Sequence, residues 1–167
     1  EDGGQIVPPE DQNIINEINK LDYREIKFKS NSNLIEYIDK EVDDVFIKNS
    51  IENGKLSDNK EMKNKLNIVF TSLHGTSITL IPEVLKKAGF NNVYIVEEQK
   101  IPDGNFPTVK SPNPEETEAL VMALKLGNKH NADIVIGTDP DGDRFGIAVR
   151  NNSNDLVLLN GNEVMAI

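Results

Sequence analysis

The stretch IVIGTDPDGDRFGIAV, residues 134–149, decides the fold of this chain. Its first residues, Ile134-Val135-Ile136, are continuously apolar and predict a short buried strand, and residues 145–149 predict another. Only the loop at residues 138–144 lies between them. A parallel crossover needs about a dozen residues or more. We therefore expect the second strand to run antiparallel to the first.

Upstream of that stretch, short apolar runs alternate with helical patterns. Residues 68–70 and 93–96 predict two more strands, and residues 156–159 predict a last one downstream. Two helices are expected between the strands. The first closes at Gly89 and buries one apolar face: Ile81, Val84, Leu85 and Ala88. The second begins with an acidic turn, Glu115-Glu116, and also buries one face: Ala119, Met122, Ala123 and Leu126. This order predicts an α/β fold, a three-layer α/β/α domain with a mixed, mostly parallel sheet of about four strands and an antiparallel edge strand.

The N-terminal part of the chain is polar and is expected to precede the domain. Residues 1–33 contain one short helical pattern, at residues 14–21, and indicate a linker or lead-in segment. The domain is then expected to cover residues 34–167. It should begin with an amphipathic helix that Asn33 caps and that runs to about Asn49.

The composition is that of an acidic globular chain. Its 167 residues suffice for one domain, and 18 basic against 28 acidic residues give a net charge of −10. So acidic a chain is a poor partner for nucleic acid or an anionic membrane. It has no cysteine, hence no disulfide or thiolate metal site, and we expect a cytoplasmic protein. It starts at Glu1 without a methionine and stops at Ile167 inside an apolar run, which indicates a piece of something longer.

The acidic loop after the third strand is the strongest functional signal in the sequence. Asp139, Asp141 and Asp143 alternate with Pro140 and Gly142, residues that turn the backbone tightly enough for three carboxylates to converge. Clustered carboxylates repel one another unless a hard divalent cation binds them. The loop predicts a Mg²⁺ site with positions left open for a phosphate oxygen. The alternative is a solvated acidic turn.

The residues that follow the aspartates exclude an EF-hand calcium loop. Counted from Asp139, the positions that require Gly and Glu hold Arg144 and Arg150. Arg144 is instead suited to donate a fork of hydrogen bonds to the same phosphate. Its alternative role is a surface ion pair with a neighbouring aspartate.

A second loop, residues 73–77, follows the first strand. The carboxyl ends of parallel strands meet at one edge of a sheet, so this loop is expected at the same edge as the acidic one, at a separation that the sequence does not fix. His74 would there orient a ligand or act as an acid or base, or else hydrogen-bond the backbone of the loop. Gly75 precedes an expected helix start and predicts an anion-binding helix terminus.

Three motifs in this order resemble one enzyme family. They are Leu73-His74-Gly75-Thr76, then Phe106-Pro107-Thr108 with Pro112-Asn113-Pro114-Glu115, and finally Thr138-Asp139-Pro140-Asp141-Gly142-Asp143-Arg144. Over most of residues 66–149 the chain resembles the second α/β/α domain of the α-D-phosphohexomutases, in the phosphoglucomutase/phosphomannomutase branch. Enzymes of this family have four domains around one cleft. They interconvert hexose 1-phosphates and 6-phosphates through a phosphoserine and a bisphosphorylated sugar.

The resemblance implies roles for the acidic loop. Asp139, Asp141 and Asp143 would be the Mg²⁺ ligands, with the phosphoserine oxygen completing the metal shell, and Arg144 would steady the transferring phosphoryl group. Phosphoryl transfer depends on such positioning and charge neutralisation. The implied partners are a glucose or mannose phosphate and the other domains of the same chain.

The chain also departs from the family pattern. The phosphoserine motif, a Ser-His-Asn-Pro type stretch of the first domain, is absent, as are the sugar-binding and phosphate-binding loops of the third and fourth domains. Residues 111–114, Ser-Pro-Asn-Pro, do not replace the motif because they lack its histidine. We expect these residues alone to be inactive and to bind Mg²⁺ weakly, as part of an isomerase that transfers phosphate within one molecule.

Two other functions are consistent with an acidic loop. One is a self-contained Mg²⁺-dependent phosphatase with Asp139 as its nucleophile. The other is a non-catalytic module that binds Ca²⁺ or a protein partner. The residues that would assist Asp139 in a phosphatase are not indicated by the spacing.

Overall fold

The computed structural model describes residues 4–54 and 59–166. It divides the chain into two units, Glu1–Ile38 and Asp39–Ile167, whereas the sequence places this boundary at residue 33. The remaining residues of the expected lead-in and domain, 1–3, 55–58 and 167, lie outside the described residues.

The regular secondary structure described in the first unit is helical. Helix α1, Glu10–Lys20, contains most of the pattern predicted at residues 14–21, and it ends before Leu21, which is extended. Two short 3₁₀ helices follow, Tyr23–Glu25 and Ser32–Leu34. None of these three helices has a buried residue.

The second unit is built on one five-stranded sheet with the order β2-β1-β3-β4-β5. The strands are β1 Asn67–Thr71, β2 Asn92–Ile95, β3 Ile134–Thr138, β4 Phe145–Arg150 and β5 Leu156–Leu158. β1 is parallel to β2 and β3, whereas β4 is antiparallel to both β3 and β5. The reversal predicted at residues 138–144 is therefore confirmed, with β4 inside the sheet and β5 at its antiparallel edge.

Five α-helices accompany the sheet in the described part of this unit. They are α2 Asp39–Asn53, α3 Lys60–Lys65, α4 Ile81–Lys87, α5 Val121–Lys129 and α6 Gly161–Met165. α5 packs on β1, β3 and β5, and α4 packs on β2 and α2. The core contains Val69, Val96, Ala123, Ala132, Val135 and Ala148. The predicted α/β class, with helices layered on a mixed sheet, is confirmed. None of the described helices is long and apolar enough to cross a membrane.

The helix expected from residue 34 begins later than predicted. α2 starts at Asp39, and the amide of Asn33 donates to the side chain of Asn31 in a 3₁₀ turn, 3.2 Å away. The predicted start is wrong because residues 31–35 form a separate turn, in which the Asn31 side chain caps the backbone at Asn33. Leu34 and Ile35 are 83% and 52% exposed there.

The acidic first turn expected at residues 115–116 is also wrong. α5 begins at Val121. The amide of Glu115 donates to Oδ1 of Asn113, 3.2 Å, and the amide of Glu116 donates to the Asn113 carbonyl, 3.1 Å. Asn113 therefore satisfies these amides in a separate turn, as asparagine side chains commonly do in loops.

Candidate metal centre

The acidic loop is a tight turn that joins the carboxyl end of β3 to the start of β4. Gly142 has a φ of 79°, which glycine adopts without strain, and its amide donates to the carbonyl of Asp139, 3.1 Å. The amide of Asp139 donates to the carbonyl of Arg144, 3.2 Å, and closes the turn. The three aspartate side chains are thereby brought to one side of the sheet edge.

Asp139, Asp141 and Asp143 converge as the sequence predicts. Each offers one carboxylate oxygen, and these oxygens lie within 4.8 Å of one another. Asp139 is buried, while Asp141 and Asp143 are exposed to solvent. Three carboxylate oxygens are a hard donor set that suits Mg²⁺ or Ca²⁺. The residues present therefore fit a divalent cation.

Arg144 lies beside the buried aspartate. Its Nε donates to Oδ2 of Asp139, 2.8 Å, and lies 3.8 Å from Oδ1 of Asp143. Its side chain is 57% exposed, and no described residue hydrogen-bonds its two terminal nitrogens. The ion pair considered for Arg144 thus exists, and the four N–H donors of the two terminal nitrogens have no partner among the described residues. Each carboxylate oxygen of Asp139 keeps a second lone pair for a cation.

The aspartate carboxylates of the loop repel one another, and Arg144 offsets part of this repulsion. Burial alone would raise the pKa of Asp139, but hydrogen bonds from the backbone and side chain of Arg144 hold it below its ordinary value. The charge of Asp141, followed by the hydrogen bond with Asp139, raises the pKa of Asp143. A divalent cation between the carboxylates would remove this repulsion.

The loop after β1 contacts the acidic loop directly. The amide of Thr76 and its hydroxyl both donate to the carbonyl of Pro140, 2.9 Å and 3.2 Å away. The anion-binding helix terminus predicted at Gly75 is wrong. The helix there is a four-residue 3₁₀ turn, Thr76–Thr79, and Pro140 already accepts its first amide.

His74 lies in the same loop, and its ring hydrogen-bonds residues 101 and 108. It is 4% exposed, its Nδ1 lies 3.2 Å from the carbonyl of Ile101, and its Nε2 lies 2.8 Å from Oγ1 of Thr108. A carbonyl only accepts, so we assign the donor proton to Nδ1 and the acceptor role, toward the Thr108 hydroxyl, to Nε2. Both ring nitrogens thus hold residues 101–108.

Gln99 completes a buried polar network that sequence reasoning missed. It is fully buried, accepts the Thr71 hydroxyl at Oε1, 2.6 Å, and donates from Nε2 to the Thr108 hydroxyl, 3.0 Å. Gln99 stands among charged residues in the sequence, so no local pattern marks it as buried. Thr108 belongs to one of the three motifs, and this motif is the sequence feature that could have indicated the network.

Pro114, of the motif at residues 112–115, lies against the end of the sheet next to the acidic loop. Pro114 is fully buried, and a Cβ placed on Gly146 of β4 would overlap its carbonyl. The side chain of Leu120 similarly fills the space beside Gly137 of β3. All three sequence motifs therefore meet around the ends of β1, β3 and β4.

A family model described as phosphoglucomutase/phosphomannomutase, alpha/beta/alpha domain II, matches residues 44–152. The chain belongs to this family. The match includes every predicted site residue: His74, Asp139, Asp141, Asp143 and Arg144. It leaves out α1 and the rest of the first unit.

Similar curated proteins include the phosphoglucomutases of two Staphylococcus aureus strains. The protein of strain MRSA252 is 49% identical over 105 residues, and that of strain N315 is 48% identical over 105 residues. In both cases the match covers 63% of this chain and 19% of the relative. The matched domain is thus about a fifth of the length of these family members.

A solved structure agrees with the family fold. A phosphoglucomutase/phosphomannomutase family protein from Burkholderia thailandensis superposes with a TM-score of 0.53 at 24% identity, covering 70% of this chain and 22% of its own. At this identity the likeness concerns the fold alone.

Proposed function

We propose that this chain supplies the metal-binding domain of a phosphohexomutase, an isomerase that interconverts the 1-phosphate and 6-phosphate of glucose or mannose. The observation that carries the proposal is the convergence of three carboxylates at the carboxyl end of β3, inside the range matched by the family. The relatives named phosphoglucomutase support the reaction class.

In this proposal Asp139, Asp141 and Asp143 hold Mg²⁺. When bound, the cation neutralises negative charge on a phosphate oxygen as the phosphoryl group transfers. Asp139 is the anchored ligand, because it is buried and bonded to Arg144. Asp141 and Asp143 are exposed, which leaves this side of the proposed site open to a phosphate.

Arg144 is proposed to steady the transferring phosphoryl group. Asp139 holds its Nε, and this leaves the two terminal nitrogens directed to solvent beside the aspartates. Two parallel N–H donors match the oxygens of a phosphate. The ion pair and the phosphate contact are therefore compatible roles of one side chain.

For His74 we propose the loop-holding role. Its burial and the engagement of both ring nitrogens support this role over direct acid–base contact with the substrate. His74 would then be a positioning residue for residues 101–108.

The phosphoserine is proposed to lie in another domain, since the 167 residues contain no Ser-His-Asn-Pro type stretch. The chain by itself should therefore be inactive and should bind Mg²⁺ weakly. Its partners are the remaining domains and a hexose phosphate. The absence of cysteine suits a cytoplasmic location.

A phosphatase that uses Asp139 as nucleophile is disfavoured by one observation. Both carboxylate oxygens of Asp139 accept hydrogen bonds from Arg144, and the side chain is fully buried. A nucleophile must reach the phosphorus atom in line with the leaving group. Hydrolysis of para-nitrophenyl phosphate by this chain, abolished by Asp139→Asn, would favour the phosphatase.

A domain exchange tests the mutase proposal. Residues 44–152 would replace the matching segment of a Staphylococcus aureus phosphoglucomutase, and conversion of glucose 1-phosphate and mannose 1-phosphate would be measured. We expect activity that Asp141→Asn abolishes and that Glu118→Gln, which changes an exposed carboxylate outside the cluster, leaves intact. A folded chimera without activity on either sugar would contradict the proposal.

A further inference from the structure

The carbonyl of Pro140 lies between two of the proposed metal ligands and is held from outside the acidic loop. It accepts two hydrogen bonds, one from the amide of Thr76, 2.9 Å, and one from the hydroxyl of the same residue, 3.2 Å. A carbonyl oxygen has two lone pairs, so Thr76 uses both. The peptide that joins Pro140 to Asp141 is thus fixed by one residue of the β1 loop.

The neighbours of Thr76 hold the other side of Asp139. The hydroxyls of Ser77 and Thr138 are 2.6 Å apart, and Thr138, the last residue of β3, is 6% exposed. Gly75 lies so close to Pro140 that an added Cβ would overlap its backbone. Residues 75–77 therefore fix both residues that flank Asp139.

Residues 75–77 are themselves held by strained but well-bonded backbone. Leu73 and His74 have φ values of 46° and 64°, which are unfavourable for residues other than glycine. The amide of His74 donates to the Gln99 carbonyl, 3.0 Å, and its carbonyl accepts the amide of Asp103, 3.0 Å. These bonds fix the β1 loop independently of the acidic loop. The β1 loop can therefore position the acidic loop.

We propose that Thr76 and Ser77 are positioning residues that set the geometry of the Asp139 and Asp141 carboxylates for a cation. The inference rests on the proposed metal site. Mg²⁺ requires near-ideal octahedral geometry, whereas Ca²⁺ accepts flexible arrangements of more ligands. Loss of the Thr76 hydroxyl should therefore weaken Mg²⁺ binding more than Ca²⁺ binding.

The test is a pair of cation titrations on the 167-residue chain, followed by the amide NMR shifts of residues 139–144. Thr76→Val removes one of the two bonds to Pro140 and should weaken Mg²⁺ binding about 10-fold, the lower end of the effect of removing a group that orients a metal ligand. Ca²⁺ binding should change less. Thr76→Ser, which keeps a hydroxyl, should restore the wild-type Mg²⁺ affinity.

Thr79→Val is the matched control. The Thr79 hydroxyl donates to the Thr76 carbonyl, 3.0 Å, within the same 3₁₀ turn, and not to a residue of the acidic loop. It should leave both affinities unchanged. Thermal unfolding without metal reports the stability of each variant.

Two results would overturn the inference while the metal site stands. One is Mg²⁺ binding by Thr76→Val that equals the wild type. The other is an equal loss of Mg²⁺ and Ca²⁺ binding that follows a drop in melting temperature, which would reduce Thr76 to a stabilising role. If the wild-type chain bound no cation at residues 139–144, the metal site of the proposed function would fail as well.

Discussion

Arg144 binds both carboxylate oxygens of Asp139, with its backbone amide 3.0 Å from Oδ1 and its Nε 2.8 Å from Oδ2. The two residues lie at opposite ends of the acidic loop, so this double contact closes the loop and also neutralises its one buried charge. It leaves the outer part of the guanidinium directed to solvent beside Asp141 and Asp143.

Replacing Arg144 by lysine tests its proposed contact with phosphate. In the chimeric mutase, Arg144→Lys should lower kcat by about 100-fold, the cost of removing one group that stabilises charge in the transition state. KM should change little, because the contact is strongest during transfer. Steady-state kinetics measures both constants. Lys125→Met, on the exposed face of α5, should leave kcat and KM unchanged. An Arg144→Lys variant that also kept the wild-type kcat would contradict the phosphate contact.

Thr108 is predicted to matter for stability through the buried network. Thr108→Val removes the acceptor of Gln99 and the donor to His74, leaving buried polar groups unpaired at a cost of about 1–3 kcal/mol in the free energy of unfolding. Urea unfolding measures the loss, and ¹⁵N NMR should show the His74 proton distributed differently between its ring nitrogens. Thr117→Val, at an exposed position, should show neither change.

Arg150 is predicted to stabilise the end of α5 without affecting the metal centre. Its guanidinium donates to the carbonyls of Ala132, 2.7 Å, Asn154, 2.8 Å, and Gly127, 3.2 Å. Arg150→Met should lower the free energy of unfolding by about 1.5–3 kcal/mol, since bonds from a charged donor are lost. Arg150→Lys should recover only part of the lost free energy of unfolding, because an ammonium cannot span three acceptors. An unchanged urea midpoint would refute this.

Asp44 gives a pH-dependent prediction for the contact of α2 with α4. Hydrogen bonds from Lys40 and then Lys87 lower its pKa, so its contribution is present above the ordinary pKa of aspartate and is lost as pH falls through the folded value. Asp44→Asn should lower the melting temperature at pH 7, and this difference should shrink as the pH falls below the ordinary pKa of aspartate. Because the pair is exposed, 1 M salt should also reduce the difference. A difference independent of pH would contradict the electrostatic origin.

The sheet and the acidic loop could be predicted because their signals are local. Short apolar runs marked the strands, and the spacing of Asp139, Pro140 and Gly142 marked a turn that gathers carboxylates. The start of α2 could not be predicted, because a separate turn capped by Asn31 interrupts the apolar pattern. The turn at Asn113 depends on one side chain that competes for backbone amides.

The contacts that join the loops could not be predicted from sequence. Thr76 and Pro140 are 64 residues apart, and only the parallel pairing of β1 with β3 brings them together. Gln99 is likewise buried by tertiary contacts, with Thr71 on β1 and with Thr108. The sequence could place both loops at one sheet edge, while their hydrogen bonds required the tertiary structure.

The metal centre is tested most directly by titrating the isotope-labelled chain with Mg²⁺ and following its amide NMR shifts. We predict saturable shifts confined to residues 139–144 and their contacts at Thr76 and Ser77. Asp141→Asn should abolish these shifts, and Glu118→Gln should preserve them. Absent shifts in the wild type, or equal binding by Asp141→Asn, would contradict a metal site built from these three aspartates.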